Sequence, residues 1–328
     1  MTRHLLLFFF ITTLAMPARA ATPLDRAIRL GLAESYVTAL LLTGGNAVRF
    51  GFWDFNPNDF VGLEDEQLGT LEAQELRQQI STLSLPWSWK TPIGEHSNTL
   101  VLGAKAAYLG EKQETKIIPT GNGTDDVIDS SVTTLSLGGE LRHRSNDYLR
   151  LDAGLNLHLQ RYRNKTDFNT LESQALAPFL DGLITNYSAK AWQAEPHLRA
   201  TWFVGGRDSE VKLISEIHYM RGRTFDTGET AHEVQPEAWY WSNGVRWRSP
   251  ILTRLMRGQN VWMQASRYDL GADLDEPLGN HYYYEAGIGW LVDIPERIPF
   301  VRNVGIGINL NYGSVLRGGT LVLLFNED

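Results

Sequence analysis

The sequence predicts an all-β protein: a transmembrane antiparallel β-barrel of about 12 strands with an N-terminal helix in its lumen. Three observations predict it. First, every odd position from Leu149 to Leu159 is apolar (Leu149, Leu151, Ala153, Leu155, Leu157, Leu159), while Arg150, Asp152, Asn156, His158 and Gln160 lie between them. Strand side chains alternate between faces, so one face is apolar and the other carries charge. Second, the chain opens like an exported protein, and third, its connections alternate in length.

The opening segment has a short basic start at Arg3 and His4, an apolar run from Leu5 to Leu14, and Pro17-Ala18-Arg19-Ala20, a small-residue cleavage pattern. We expect residues 1–20 to be a signal peptide cut after Ala20. Removing that leader, with two arginines and no acid, takes the net charge from −8 to −10. An acidic chain of this kind is not expected to bind nucleic acid, whose affinity comes from clustered Lys and Arg. There is no cysteine, which excludes disulfides and thiolate metal sites. Mean hydropathy is −0.24, and no later run of eighteen apolar residues offers a helical span. A barrel needs only alternate residues to be apolar, because its closure satisfies the backbone that lipid cannot.

Next comes Leu24 to Leu42, whose apolar positions follow no strict alternation and which Gly44-Gly45 stops. We read 21–46 as a helical unit plugging the lumen, with an interfacial helix or a strand from Tyr36 to Leu42 as alternatives. Residues 47–328 are then the barrel. Its strands are expected near 47–55, 80–90, 98–110, 128–143, 147–162, 191–204, 211–222, 237–249, 260–269, 282–292, 303–312 and 319–325. The odd connections hold 24, 17, 28, 14, 12 and 6 residues, the even ones 7, 3, 6, 10 and 10. Long external loops alternating with short periplasmic turns are expected of such barrels. The loops 56–79, 111–127, 163–190 and 223–236 should therefore face outward. In the longest, Leu171 to Leu180 has the apolar spacing of a short helix over the mouth.

All ten tryptophans fall in expected strands. Trp192 and Trp202 share an outward face, about 26 Å apart along the membrane normal at ordinary rise and tilt, enough to mark both aromatic girdles. Inward positions carry a polar set: Glu140, Arg150, Asp152, Asn156, His158, Gln193, Glu195, His197, Arg199, Lys212, Glu216 and His218. If residue 143 faces 147, Glu140 lies opposite Arg150. If 204 faces 211, Arg199 lies opposite Glu216 and His197 opposite His218. Pro196 sits mid-strand, where a bulge would shift that second register.

A helix leading into twelve strands resembles the translocator domain of autotransporters. The last strand, Thr320 to Phe325, resembles the C-terminal signal read by the barrel-assembly machinery, although Asn326-Glu327-Asp328 follow it. Only residues 21–23 precede the helix, so the chain is similar to the solitary autotransporter-like barrels, which lack a passenger. Arg49-Phe50-Gly51-Phe52-Trp53-Asp54-Phe55-Asn56-Pro57 is also similar to that group. The resemblance implies an integral protein of a Gram-negative outer membrane, bathed in lipid, inserted by the assembly machinery, and monomeric.

The inward polar set reads as a lumen network or pore lining. His197 and His218 could bind a metal with Glu195 or Glu216, but the network reading is preferred, and no metal, cofactor or catalytic residue is assigned. Two alternatives stand beside a pore-like barrel with no chemistry of its own. One is a surface enzyme, protease or lipid-modifying, using Asp226, Glu229, His232 and Glu233, or Asp54 and Asp59. The other is an adhesive or structural barrel acting through loops 56–79 and 163–190. An empty twelve-strand lumen would be about 10 Å wide. A helix would nearly fill it.

Overall fold

The computed structural model describes residues 22–44, 48–50, 80–94, 97–115, 117, 124–205, 210–250, 258–275, 281–294, 303–313 and 318–325. The signal peptide, Asp54, Asp59 and all of loop 56–79 lie outside them. Twelve strands close into one antiparallel barrel. They are β1 Val48–Phe50, β2 Ile80–Ile93, β3 Asn98–Thr115, β4 Asp126–Arg144, β5 Leu149–Asp167, β6 Ser188–Val204, β7 Glu210–Phe225, β8 Glu237–Ser249, β9 Gln259–Ala272, β10 Tyr282–Asp293, β11 Asn303–Tyr312 and β12 Gly318–Phe325. Closure runs through β1, which pairs Arg49 with Val322 of β12 and with Ser84 of β2.

The expected strands all appear, and the wall is uneven. Strands β3 to β7 run 16 to 19 residues, whereas β10 to β12 run 8 to 12. At about 3.4 Å per residue and a tilt near 40°, the longest reach roughly 50 Å along the normal, about twice the apolar band. They therefore project on the extracellular side. On the outward face Leu135, Leu137, Leu155, Leu157, Leu198 and Ile217 are exposed, a surface suited to lipid. Trp192 and Trp202 point outward near opposite ends of β6, as expected, and Trp87, Trp89 and Trp290 share the outward face.

The register of β6 and β7 is the expected one: Arg199 faces Glu216 and His197 faces His218. Pro196 introduces no slip. Ala194 faces Arg221 above it and His197 faces His218 below it, in one unbroken register. The β4–β5 register corrects the expectation. Glu140 faces Gly154, not Arg150, and Arg142 faces Asp152. The connection has four residues, and the amides of Ser145 and Asn146 both reach the Leu149 carbonyl, at 3.0 and 3.4 Å. The first pair of the ladder is Arg144 with Arg150, so five residues lie between paired positions instead of three, and the turn is centred on Asp147 rather than Ser145.

The helix α1, Pro23–Leu42, begins with a reciprocal cap. The Asp25 amide donates to Thr22 Oγ1 at 3.1 Å, and the Thr22 amide donates to Asp25 Oδ2 at 2.9 Å. Pro23 costs nothing at a first turn whose amides lack helical partners. The Thr43 amide closes the last turn on the Ala39 carbonyl. No described helix is long and apolar enough to cross a membrane. Instead α1 lies inside the barrel. Leu32, Ala33, Tyr36 and Ala39 pack on Leu109, Val132 and Tyr162, while Val37, Leu40 and Leu41 pack on Met220, Tyr240 and Leu270. One helix thus touches β3–β5 with one face and β7–β9 with another, which requires it to bridge the lumen. Burying each large side chain contributes about 1.5–3 kcal/mol.

Above α1 the long loop forms α2, Leu171–Leu180, the expected short helix. Its anchor is Asp126, fully buried at the extracellular start of β4. That carboxylate accepts from Ser173 Oγ at 2.7 Å and from the amides of Asn169, Ile117 and Thr170 at 2.7, 3.1 and 3.3 Å. Burial raises the Asp126 pKa. The Ser173 hydroxyl and the three amides outweigh burial and hold it below the ordinary aspartate range.

Candidate functional site

The candidate site is the polar belt inside the barrel, beneath α1. Even-numbered positions of β4, β5 and β7 and odd-numbered positions of β6 point inward at this level, and all nine residues singled out from the sequence meet there. Glu140 on β4 accepts from Arg142 Nε at 2.5 Å, His197 Nε2 at 3.2 Å and Arg199 Nη1 at 3.4 Å. Arg150 Nε lies 3.1 Å from Asp152, whose other neighbour is Arg199 Nη1 at 3.8 Å. Arg199 Nε donates to Glu216. Three carboxylates, Glu140, Asp152 and Glu216, are thereby interleaved with three guanidinium groups, Arg142, Arg150 and Arg199.

The upper part of the belt is a histidine–glutamate chain. His158 Nδ1 is 2.8 Å from Ser136 Oγ, and its Nε2 is 2.7 Å from Glu195 Oε2. The other oxygen of Glu195, Oε1, is 2.5 Å from His218 Nδ1. Carboxylates only accept, so both nitrogens facing Glu195 carry the hydrogen, and Ser136 donates to the remaining nitrogen of His158. His197 stacks on His218 with ring centroids 5.0 Å apart, and Tyr240 stacks on its far side at 4.4 Å.

Gly154 makes room for this stack. It faces His197 across the β5–β6 ladder. A Cβ at Gly154 would lie 2.4 Å from the His197 ring and 2.9 Å from the Gly139 carbonyl oxygen. Any larger residue would push the imidazole from its place.

The sequence reading missed Arg142, Ser136 and Tyr240. The first two share inward parity with Glu140 on β4, a signal available in the alternation. The Tyr240 stack depends on β8 curling beside β7, which no local pattern encodes.

The proposed rim residues are arranged differently. His232 is buried, its Nε2 donates to the Leu183 carbonyl at 2.9 Å, and its ring stacks on Tyr187 at 4.0 Å. Asp226 is exposed and pairs with Lys190 at 2.5 Å. Among the described residues, no acid of this loop forms a hydrogen bond with His232. The loop instead clamps the mouth: Arg29 of α1 donates to the Thr230 carbonyl at 2.9 Å.

The family model described as "Solitary outer membrane autotransporter beta-barrel domain" matches residues 33–327. The chain belongs to this family. It is an integral outer-membrane β-barrel of the autotransporter translocator type. Among solved structures it is similar to the transport unit of the autotransporter AIDA-I from Escherichia coli, at 11% identity and a TM-score of 0.50, covering 92% of this chain and 98% of that one. It is also similar to the translocator domain of the autotransporter NalP from Neisseria meningitidis, at 12% identity and a TM-score of 0.49, covering 75% and 80%. The beta domain of the Bordetella autotransporter BrkA matches at 12% identity and a TM-score of 0.48, covering 74% and 89%. Identities this low speak to fold alone. No curated protein matches the chain. Within the solitary autotransporter barrel, α1 lies above the polar belt of β4 to β7.

Proposed function

We propose that this solitary autotransporter barrel is a closed translocator-type barrel, plugged by its own α1, with no catalysis of its own. The observation that carries this reading is the seating of α1. Tyr36 is 0% exposed in mid-lumen, and Gln160 Nε2 donates to its carbonyl at 3.0 Å. At the helix end, Lys105 Nζ and Ser84 Oγ donate to the Thr43 carbonyl at 3.1 and 3.2 Å. A cation on the last carbonyls also suits the negative end of the helix dipole. The lipid-facing outer wall supports a monomer, and the alternating apolar β12 that closes on β1 supports insertion through the barrel-assembly machinery.

Single-channel conductance in planar bilayers tests the plug. The mature barrel should be silent, and a barrel lacking residues 22–43 should open stable channels. Equal conductance of the two folded proteins would overturn the reading.

A second reading rests on a different observation. The extracellular helix α2 leaves Leu171 80% and Phe179 77% exposed while Asp126 holds its base rigid. Apolar side chains presented outward on a fixed helix suit an adhesive surface. Loss of cell or phage attachment on deleting 171–180, with the barrel still folded, would favour that role.

A further inference from the structure

We propose that the belt contains a buried site for a divalent transition-metal ion of the zinc type, with Glu195, His197 and His218 as its ligands. One ligand atom from each of these buried residues lies within 4.8 Å of the others. Tetrahedral zinc with bonds near 2.1 Å separates its ligands by about 3.4 Å, so closing on the ion requires movements of about an ångström together with a rotation of the stacked His197 and His218 rings that turns their nitrogens toward one point.

The hydrogen-bond pattern identifies the atoms. His197 spends Nε2 on Glu140 and leaves Nδ1 buried with no hydrogen-bond partner among the described residues. His218 Nδ1 and Glu195 Oε1 face each other, and His218 Nε2, also buried, makes no hydrogen bond. That second nitrogen points toward Glu216 Oε1, 3.7 Å away. Nε2 keeps its hydrogen toward Glu216, and the ion displaces the hydrogen on Nδ1 beside Glu195 Oε1, which leaves as a proton to solvent. The ion then occupies the place of the former hydrogen, between His218 Nδ1, Glu195 Oε1 and His197 Nδ1.

Each ligand would have an orienting partner in place. Glu216 would hold His218, Glu140 holds His197, and His158 holds the second oxygen of Glu195. Metal-binding histidines characteristically donate their other nitrogen to a carboxylate in this way, and such partners tune affinity 10- to 100-fold. A network built only for charge balance has no use for the buried, unpartnered Nδ1 of His197, because a buried polar atom without a partner costs desolvation without return. Two imidazoles and a carboxylate, with no thiolate, suit zinc or cobalt(II) rather than magnesium or calcium.

The test uses the full mature barrel, refolded in detergent without a histidine tag, and titrated with zinc chloride alone and cobalt(II) chloride alone. We expect one ion per barrel and the visible bands of four-coordinate cobalt(II). His197→Ala and His218→Ala should each weaken binding at least about 100-fold, and Glu140→Gln about 10-fold. His143→Ala and His281→Ala, which alter histidines outside the belt, should change nothing. Absence of saturable binding by the wild-type barrel would overturn the proposal. So would binding that survives in a folded His197→Ala, His218→Ala double variant. If that double variant does not fold, the wild-type cobalt spectrum decides: four-coordinate bands support the site, and their absence overturns it.

Discussion

Toward the extracellular end, the lumen is filled by a helix that lays Tyr36, Val37 and Leu40 against Leu109, Tyr162, Met220 and Tyr240. A few residues deeper, β4 to β7 line one side of the lumen with Glu140, Arg142, Asp152, Glu195, Arg199 and Glu216, joined by ion pairs and histidines. The two differ in how they fail. Apolar packing is divisible, since each side chain contributes separately and removing the whole helix strands few polar groups. The ionic belt is indivisible, because removing one partner leaves the others charged and without compensation in a low-dielectric interior. A lumen built this way can carry a replaceable seal above a fixed structural ring.

Arg199 gives the sharpest way to break that contrast, because it joins Glu140, Asp152 and Glu216. Arg199→Ala should destabilise the barrel by about 3–5 kcal/mol, read as a lower urea midpoint in detergent. Next is the seal itself. Tyr36→Ala should weaken helix docking by about 3 kcal/mol, yet leave the urea midpoint of the barrel nearly unchanged and appear as intermittent conductance.

Asp126→Asn should cost the lid about 1–3 kcal/mol, since bonds to a charged acceptor are replaced by bonds to a neutral one. Faster proteolysis within 168–187 would report it. The same anchor sets a pH window. A carboxylate held below its unfolded value contributes fully above about pH 4 and loses that contribution as pH falls through its lowered value. The lid should therefore stay protease-resistant at mildly acidic pH and loosen only below the ordinary aspartate range. The smallest effect belongs to Lys190 and Asp226, a pair with both side chains exposed. Lys190→Ala should leave the unfolding curve unchanged.

These regions also differ in how far the sequence announced them. Alternation placed every strand, and parity placed the whole belt inward, because a strand's facing depends on local period alone. Partners depended on turns. At β6–β7 the short connection led directly to Arg199 opposite Glu216 and His197 opposite His218. At β4–β5 the turn is centred two residues further along the chain than assumed, and Glu140 moved four residues along its partner, from Arg150 to Gly154. An even displacement preserves facing, so Glu140 stayed in the belt with different neighbours. Pro196 on the outward face bends no register, although its ring removes a donor. The helix α2 was legible from its spacing, but its anchor was not. Asp126 lies 47 residues before Ser173 and is brought to it only by the closed wall. The enclosure of α1 was legible in its apolar character beyond Tyr36, whereas its contacts with opposite sides of the barrel were set by tertiary structure.

The most direct measurement is thiol labelling of α1 in the folded barrel, in a chain that otherwise contains no cysteine. Ala39→Cys places a thiol on the buried middle of the helix, and Leu24→Cys places one on its exposed start. With folding confirmed by heat-dependent gel mobility, the lumen-plug account expects a bulky maleimide to label Leu24→Cys at once. It expects Ala39→Cys to label only after the barrel is heat-unfolded. Equal labelling of both thiols in the folded barrel would place the helix outside the lumen and contradict the account.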